Sequence, residues 1–305
     1  MEVHQLQILR ELGALGSVSA VARVMNVTPS AVSQHLTALQ RGFGTPLTQK
    51  KGRTLVLTDA GQVLADAGAE VIDAMAAART AVEDFEQSAG GTVSVSGFHS
   101  AGQALFGSLL QELARRRATP DVRLTDEDVA QQDFPALTAR YDLVIAHRLD
   151  HSPAWPTVGL RTITLAHEPL DVALPAGHRL AREAELSPEQ VAGERWVTTR
   201  GGYSPDDLLD AVAAVANRQI EIVHRINDYG TVNAIVAAGN AIGLVPRYTS
   251  PRAPEGAIVH RPLTGVGASR SIDLLTRPEN LRRRSVKIVA GALGRVVAGI
   301  IRERE

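Results

Sequence analysis

Residues 16–41 read GSVSAVARVMNVTPSAVSQHLTALQR, an order that describes two short helices joined by a tight turn. Ser17 or Ser19 offers a hydroxyl to cap the first helix. Ala20, Val21, Val24 and Met25 then recur at helical spacing, and Asn26-Val27 breaks the run. Thr28-Pro29 restarts it, with a capping hydroxyl ahead of a proline at the first helical position, where a missing N–H costs nothing. In the second helix Val32, Leu36 and Leu39 form an apolar stripe. Ser30, Ser33, Gln34, Thr37 and Arg41 fall on the other side, and none is acidic. Such a face suits a major groove, where Gln pairs with an adenine edge and Ser, Thr and Arg reach phosphates or bases. Periodicity alone describes a solvated helical hairpin equally well.

The neighbouring residues extend this unit on both sides. Val3, Leu6, Ile8, Leu9 and Leu12 predict a bracing helix before it. Gly42-Phe43-Gly44 ends the second helix, and residues 45–58 read as a two-stranded wing with the polar tip Gln49-Lys50-Lys51-Gly52-Arg53. Gly52 supplies the turn, and the cations around it can straddle a phosphate backbone. Residues 59–87 contain no proline, and Val63, Leu64, Ala67, Val71, Met75, Ala78, Val82 and Phe85 recur every three or four positions. A helix of roughly 45 Å with one apolar stripe requires a partner, the simplest being its own copy. A dimer would present two groove-reading helices to a two-fold-related DNA site.

The chain has 305 residues, 44% of them hydrophobic, a net charge of −1 and no cysteine. That length supports two or three domains, and the missing cysteine excludes disulfides, thiolate zinc sites and cysteine nucleophiles. Charge is unevenly placed: residues 1–58 sum to +4 and residues 59–90 to −6. A basic head beside an acidic segment fits a DNA-binding head whose neighbour stays off the phosphates. The N-terminus lacks a basic start followed by an apolar run, and no apolar stretch reaches the roughly 18 residues of a membrane span. A soluble, cytoplasmic protein with no membrane association is expected.

Residues 3–61 resemble the winged helix-turn-helix of LysR-type transcriptional regulators. The resemblance rests on LQILREL at 6–12, Gly16-Ser17, Ala22, VTPSAVS at 27–33, Leu36, Leu39, Phe43-Gly44, Pro46-Leu47 and LTDAG at 57–61. Gln40 stands where the family usually has Glu, and Thr48 where it usually has Phe. The resemblance implies DNA contacts from Thr28, Pro29, Ser30, Ser33, Gln34, Thr37, Lys50 and Arg53, Lys50 matching the basic wing residue. It also implies that the long helix pairs two subunits, giving a homodimer or, as a dimer of dimers, a homotetramer.

Beyond a hinge-like Ser88-Ala89-Gly90-Gly91, strands and helices alternate, which predicts a mostly parallel sheet covered on both faces. Strands are expected at 92–97, 122–125, 141–146, 170–174, 196–199, 220–225, 243–245 and 271–276. Helices are expected at 101–117, 134–139, 187–191, 208–216, 232–238 and 286–301. Similarity to the family continues here, including LPAGHRLA at 174–181 and AIVAAGNAIGLVP at 234–246. It implies an α/β fold class: a winged helix-turn-helix at 1–58, a linker helix at 59–89, and a two-lobed, periplasmic-binding-protein-like effector domain at 90–305. Lobe I would hold about 90–163 and 268–305, lobe II about 164–267, with the chain crossing near 162–167 and 263–270.

In open α/β sheets ligands sit beyond the carboxyl ends of strands where two lobes meet. Four loops qualify, carrying His99-Ser100, His147-Arg148, Thr199-Arg200-Gly201-Gly202 and Asn227-Asp228. Ser100 and Thr199 match positions where the family binds small effectors. His99, Ser100, His147, Thr199 and Asp228 are therefore the candidate effector residues. With Arg148 or Arg200 nearby they suit a polar or carboxylate-bearing molecule; Asp228 facing an amine would make it an amino acid.

Enzyme signatures are missing: there is no G-x-S-x-G elbow and no phosphate loop. His147 and His151 have a formal metal-ligand spacing but lie in a proline-containing polar stretch, so no metal, cofactor or catalytic residue is expected. The alternative function is a cytoplasmic small-molecule binding protein whose head dimerises without touching DNA.

Overall fold

The computed structural model describes every residue except 53, 86–90, 117, 118, 202, 254 and 305, and also leaves aside the side chains of 83–85 and 204. Arg53, the last two residues expected of the long helix (86–87), the Phe85 side chain, most of the 88–91 hinge, and Gly202 lie outside the described residues.

The head begins with α1 (Val3–Leu15), α2 (Val18–Val24) and α3 (Pro29–Gln40). Ser17, rather than Ser19, caps α2 by accepting from the Ala20 N–H at 3.1 Å, and Thr28 caps α3 by accepting from Ala31 N–H at 3.1 Å. Asn26 takes the left-handed conformation (φ 54°) that lets the chain reverse between them. Ile8, Leu9, Leu12, Val21, Val32, Leu36 and Leu39 form the head's core. The wing is β1 (Thr48–Lys51) paired antiparallel with β2 (Thr54–Leu57), turning at Gly52 (φ 62°). Gln40 ties the wing to α3. Its amide donates to the carbonyls of Phe43 (3.1 Å) and Thr45 (2.9 Å), and its oxygen accepts from Leu47 N–H at 2.7 Å. A glutamate there would accept but could not donate.

Next comes α4 (Asp59–Phe85), about 40 Å long. The sequence predicts one apolar stripe on it, and the structure contains two. Ala65, Gly68 and Ile72 are buried, Gly68 lying against Leu6 of α1. Val63, Ala67, Val71, Met75, Ala78 and Val82 form a second row that stays exposed.

The body contains β3 (Thr92–Gly97), α5 (His99–Ala114), β4 (Asp121–Asp126), α6 (Phe134–Leu137), β5 (Leu143–Leu149) and β6 (Arg161–Pro175). There follow α7 (Pro188–Val191), β7 (Arg195–Thr198), α8 (Ser204–Ala216), β8 (Glu221–Arg225), α9 (Tyr229–Ala237) and β9 (Ile242–Pro246). The last are β10 (Ile258–Pro262), β11 (Ser269–Thr276) and α10 (Arg284–Arg304). The strands lie in the order β4-β3-β5-β11-β6-β9-β7-β8, with β10 also on β6. One apolar core serves the β4-β3-β5-β11 half with α5 and α10, and two further clusters serve the β9-β7-β8 half.

One expectation is corrected here, and two strand segments went unrecognised in the sequence. The flanks are parallel, but β5-β11, β11-β6, β6-β9 and β6-β10 are antiparallel, so the sheet is mixed rather than mostly parallel. The crossing expected near 162–167 falls in the first half of β6, which pairs with β11 from Arg161 to Pro169. That half is mostly solvent-exposed, and its alternation is confined to Ile163 and Leu165, too short to mark a strand. Strand β10 went unpredicted for a similar reason: none of its residues is fully buried.

Head and body meet through ions. Arg277, just past β11, makes a two-point contact with the buried Glu11 of α1, its Nη2 donating at 2.7 Å. Arg10 donates to Glu279 at 2.8 Å, and Arg282 donates to Asp73 of α4 at 3.1 and 2.9 Å. No helix among the described residues is long and apolar enough to cross a membrane.

Gly61 lies where α4 leaves the wing, and a Cβ there would stand 2.0 Å from the Leu47 carbonyl oxygen. Gly61→Ala should therefore destabilise the head by about 1–3 kcal/mol, the usual cost of forced overpacking. Thermal unfolding checks this, with an unchanged midpoint as the contrary result.

Candidate functional site

On α3 the burial pattern separates anchoring from presenting side chains. Val32, Leu36 and Leu39 are buried, whereas Thr28, Pro29, Ser30, Ser33, Gln34 and Thr37 are exposed. Ser33 donates its hydroxyl to the Pro29 carbonyl at 3.0 Å, and Thr37 donates to that of Ser33 at 2.9 Å. In this state both hydroxyls can only accept from outside; each must rotate away from the helix backbone to donate to a phosphate. Lys50 and Lys51 are exposed on the wing. The head therefore shows a groove-sized polar helix and a basic hairpin held together by Gln40.

The second site lies where the two halves of the sheet meet. His99 opens α5, and its imidazole spans the junction: Nδ1 is 2.7 Å from Asp126 at the end of β4, Nε2 3.3 Å from Asp228. Asp228 caps α9, accepting from the Thr231 amide and hydroxyl, both at 2.7 Å, which holds its carboxyl below the usual range. The hydrogen bond with Asp126, against an opposing effect of burial, raises the His99 pKa above its ordinary 6.5, and Asp228 adds to the rise. A second bridge centres on Asp128. Its carboxylate accepts from Arg200 at 3.3 Å and Asn227 at 3.0 Å, and its carbonyl from the Tyr203 hydroxyl at 3.1 Å.

Beneath these bridges is a buried ion pair. Arg270 (1% exposed) donates to Glu168 (0% exposed) at 2.9 Å and to the Thr249 hydroxyl at 2.9 Å. Glu168 also accepts from the backbone N–H groups of Tyr248 at 2.8 Å and Thr249 at 2.6 Å. The Arg270 guanidinium lies 5.1 Å from the centre of the Phe98 ring. Nearby Tyr229 is buried, which pushes its hydroxyl up to about 12.

The candidate effector residues separate in this setting. His99, Ser100 and Asp228 come together: His99 reaches Asp228, and Ser100 Oγ is 3.4 Å from Thr249 Oγ1 across the junction. Thr199 is buried beside Arg200, and its hydroxyl has no hydrogen-bond partner among the described residues; neither has that of Thr198. A buried polar atom without a partner is a costly arrangement that a bound polar group would relieve. His147 is corrected. It lies within β5, not in a loop, paired with Ile272 and set edge-on to Phe98 and Phe134, so it belongs to the core. Burial, with Arg270 near it, drives its pKa well down and keeps the ring neutral.

Sequence reasoning missed Asp128, Glu168, Thr249 and Arg270. Only the loop segments carrying Arg200 and Asn227 hinted at the Asp128 bridge. Glu168 and Arg270 read as ordinary polar residues because their partners are remote in the chain.

Comparison with known proteins gives consistent results. Residues 3–62 match the model of the bacterial regulatory helix-turn-helix protein of the lysR family, and residues 86–298 that of the LysR substrate binding domain. A probable RuBisCO transcriptional regulator of Trichormus variabilis is 22% identical over 289 residues, covering 93% of this chain and 85% of its own. Full-length OxyR from Pseudomonas aeruginosa, solved as a point variant, is similar in fold. Its TM-score is 0.66 at 17% identity, over 96% of this chain and 94% of that one. Full-length CbnR complexed with its target DNA gives 0.50 at 17% identity, over 97% and 100%.

The raised pKa of His99 has a definite sign. Its contacts with Asp126 and Asp228 contribute stability that is fully present below about pH 6.5, the ordinary value, and is lost as pH rises through the elevated one. Melting curves taken across this range should show wild type losing its advantage over His99→Gln as pH increases. A gap that widens with pH would contradict this assignment.

Proposed function

Because the chain belongs to the LysR family of bacterial helix-turn-helix regulators, we propose how this DNA-binding transcriptional regulator reads DNA and senses its effector. The helix α3 enters the major groove with Thr28, Pro29, Ser30, Ser33, Gln34 and Thr37 toward the duplex, and Lys50 with Arg53 meets the flanking phosphates. What supports this reading is the exposed, acid-free polar face of α3 backed by a fully buried aliphatic one. The amide of Gln34 reads an adenine edge, and the hydroxyls contact phosphate or base after turning from their backbone acceptors.

The exposed row on α4 is covered by α4 of a second copy. Val63, Val71, Met75 and Val82 are 69%, 44%, 44% and 59% exposed, an apolar stripe of helix length that one chain leaves in water. Pairing there sets two heads for a two-fold site, with a dimer of dimers as the larger assembly.

The effector occupies the junction of the two halves, our lobes I and II. Its groups replace the His99–Asp228 and Arg200–Asp128 bridges and satisfy the Ser100 and Thr199 hydroxyls. Carboxylates and cations face the same space, which fits a polar or carboxylate-bearing molecule and, in particular, an amino acid. The relatives are regulators, and we read this cleft as a binding site, not a catalytic one. An effector acts only through unequal affinity for two lobe settings. Strand β11 offers the route outward, since it carries Arg270 in the cleft and is followed at its far end by Arg277, which holds Glu11 of the head.

Gln34→Ala should weaken binding to DNA from the protein's own upstream region by about 1–3 kcal/mol, the worth of one good base contact. Electrophoretic titration reads this, and unchanged affinity and sequence preference would sink the helix assignment. Met75→Asp should convert the dimer to monomer in sedimentation while the melting temperature of the body holds. A dimer that survives would place the interface elsewhere.

A further inference from the structure

A separate cavity of about 460 Å³ lies beside the outer end of β6, flanked by β9 and β10 and covered by the end of α10. Among the described residues Arg247, His260 and Arg304 line it, with Ser250 and one carboxylate, Asp171. Asp171 is already engaged: both its oxygens accept from Arg247, at 2.7 and 2.6 Å. Arg304 gives one Nη2 hydrogen to the Ser250 carbonyl at 3.0 Å. Arg304 also lines the cavity, where Asp171 is the one acid among the described lining residues.

Positive charge is in excess here. Arg304 has its pKa lowered by burial and then by Arg252, with Glu168 and Glu303 offsetting in part; Glu168 is itself committed to Arg270. Burial also lowers the pKa of His260, Asp171 opposes this, and Arg304, Arg247 and Arg261 lower it further. Arg247 and Arg304 outnumber the one described carboxylate, and His260, kept neutral by its lowered pKa, adds a ring N–H donor, a set that complements an anion. The planar fork of arginine matches phosphate and carboxylate alike. The walls include Pro246, Pro251 and Pro262, which offer apolar surface and no N–H. The space is many times the roughly 30 Å³ share of one water, so an organic body fits beside the charged group.

We propose that this cavity is a second ligand site, taking a small phosphorylated or carboxylated metabolite between Arg304 of α10 and the Arg247–His260 side of β9 and β10. Helix α10 packs on α5 in one half of the body, whereas β9 and β10 belong to the other half. A bound anion therefore joins the halves at a point distinct from the cleft. It also touches Ser250, next to Thr249 in the loop that closes on Glu168. Anion and cleft effector then influence each other reciprocally. The site itself stands whether or not the cleft takes the effector assigned above.

The test uses the full-length chain at constant ionic strength set by chloride. Its melting temperature is titrated with inorganic phosphate, glycerol phosphate and citrate. At least one arm should give a saturable rise, and the arm that saturates first distinguishes a phosphate from a carboxylate ligand. Arg304→Gln should move that midpoint to about tenfold higher concentration or more, the loss expected on removing a charged hydrogen-bond donor. His260→Asn should weaken it in the same direction, and Arg123→Gln, an exposed residue remote from the cavity, should leave it unchanged. No saturable rise in any arm, an unshifted midpoint in Arg304→Gln, or an equal loss in Arg123→Gln overturns the proposal.

Discussion

The contact between Glu168 and Arg270 governs the body of this protein. The two residues face each other in register on β6 and β11, the strands along which the chain passes between the halves of the sheet. Withdrawing both charges from water costs several kcal/mol per ion, and only full hydrogen bonding offsets that cost. The offset is present: Glu168 accepts from Arg270, from two backbone N–H groups and from the Thr249 hydroxyl. Two crossing strands and the 248–249 loop are thereby held to one geometry. Buried ion pairs are often replaceable by neutral, well-packed residues without loss of stability, but such residues carry no directional bonds.

That geometry places everything above it. Ser100 meets Thr249, His99 reaches from α5 to the cap of α9, and Asp128 gathers Arg200, Asn227 and Tyr203. The His99 and Asp128 bridges are partly exposed and individually weak, whereas Ser100 and Thr249 are buried. Since Arg277 follows β11 directly and grips Glu11, the head is attached to the strand at the centre of the body rather than to a loose end.

The head was legible almost residue by residue. Its helices are short, sequential and amphipathic, so the 3.6-residue period alone separates Val32, Leu36 and Leu39 from Ser33, Gln34 and Thr37. The caps at Ser17 and Thr28 are contacts three residues long, which any local reading can find. Gln40 shows the limit: its replacement of the family's usual glutamate was visible, but its clamp on Phe43, Thr45 and Leu47 was not. The long helix was legible as an element and only half legible as a surface, since two apolar rows on one helix merge in a linear pattern.

In the body, strand and helix order came from the chain itself, because buried strands are apolar runs and the helices between them are periodic. The exposed half of β6 and the half-buried β10 have no such pattern, and the same lack hid the antiparallel centre of the sheet. His147 was misplaced because polarity alone suggests a loop, whereas the aromatic rings that surround it belong to Phe98 and Phe134. What the amino-acid order determined by itself, then, was the family, the helix with one polar and one aliphatic face, and the succession of elements, all consequences of neighbours within a few residues. What only tertiary structure decided was the pairing of Glu168 with Arg270, the bridges of His99 and Asp128, and the cationic cavity under Arg304. Each joins charges scores of residues apart, and a charge declares its partner only when the fold has removed the water between them.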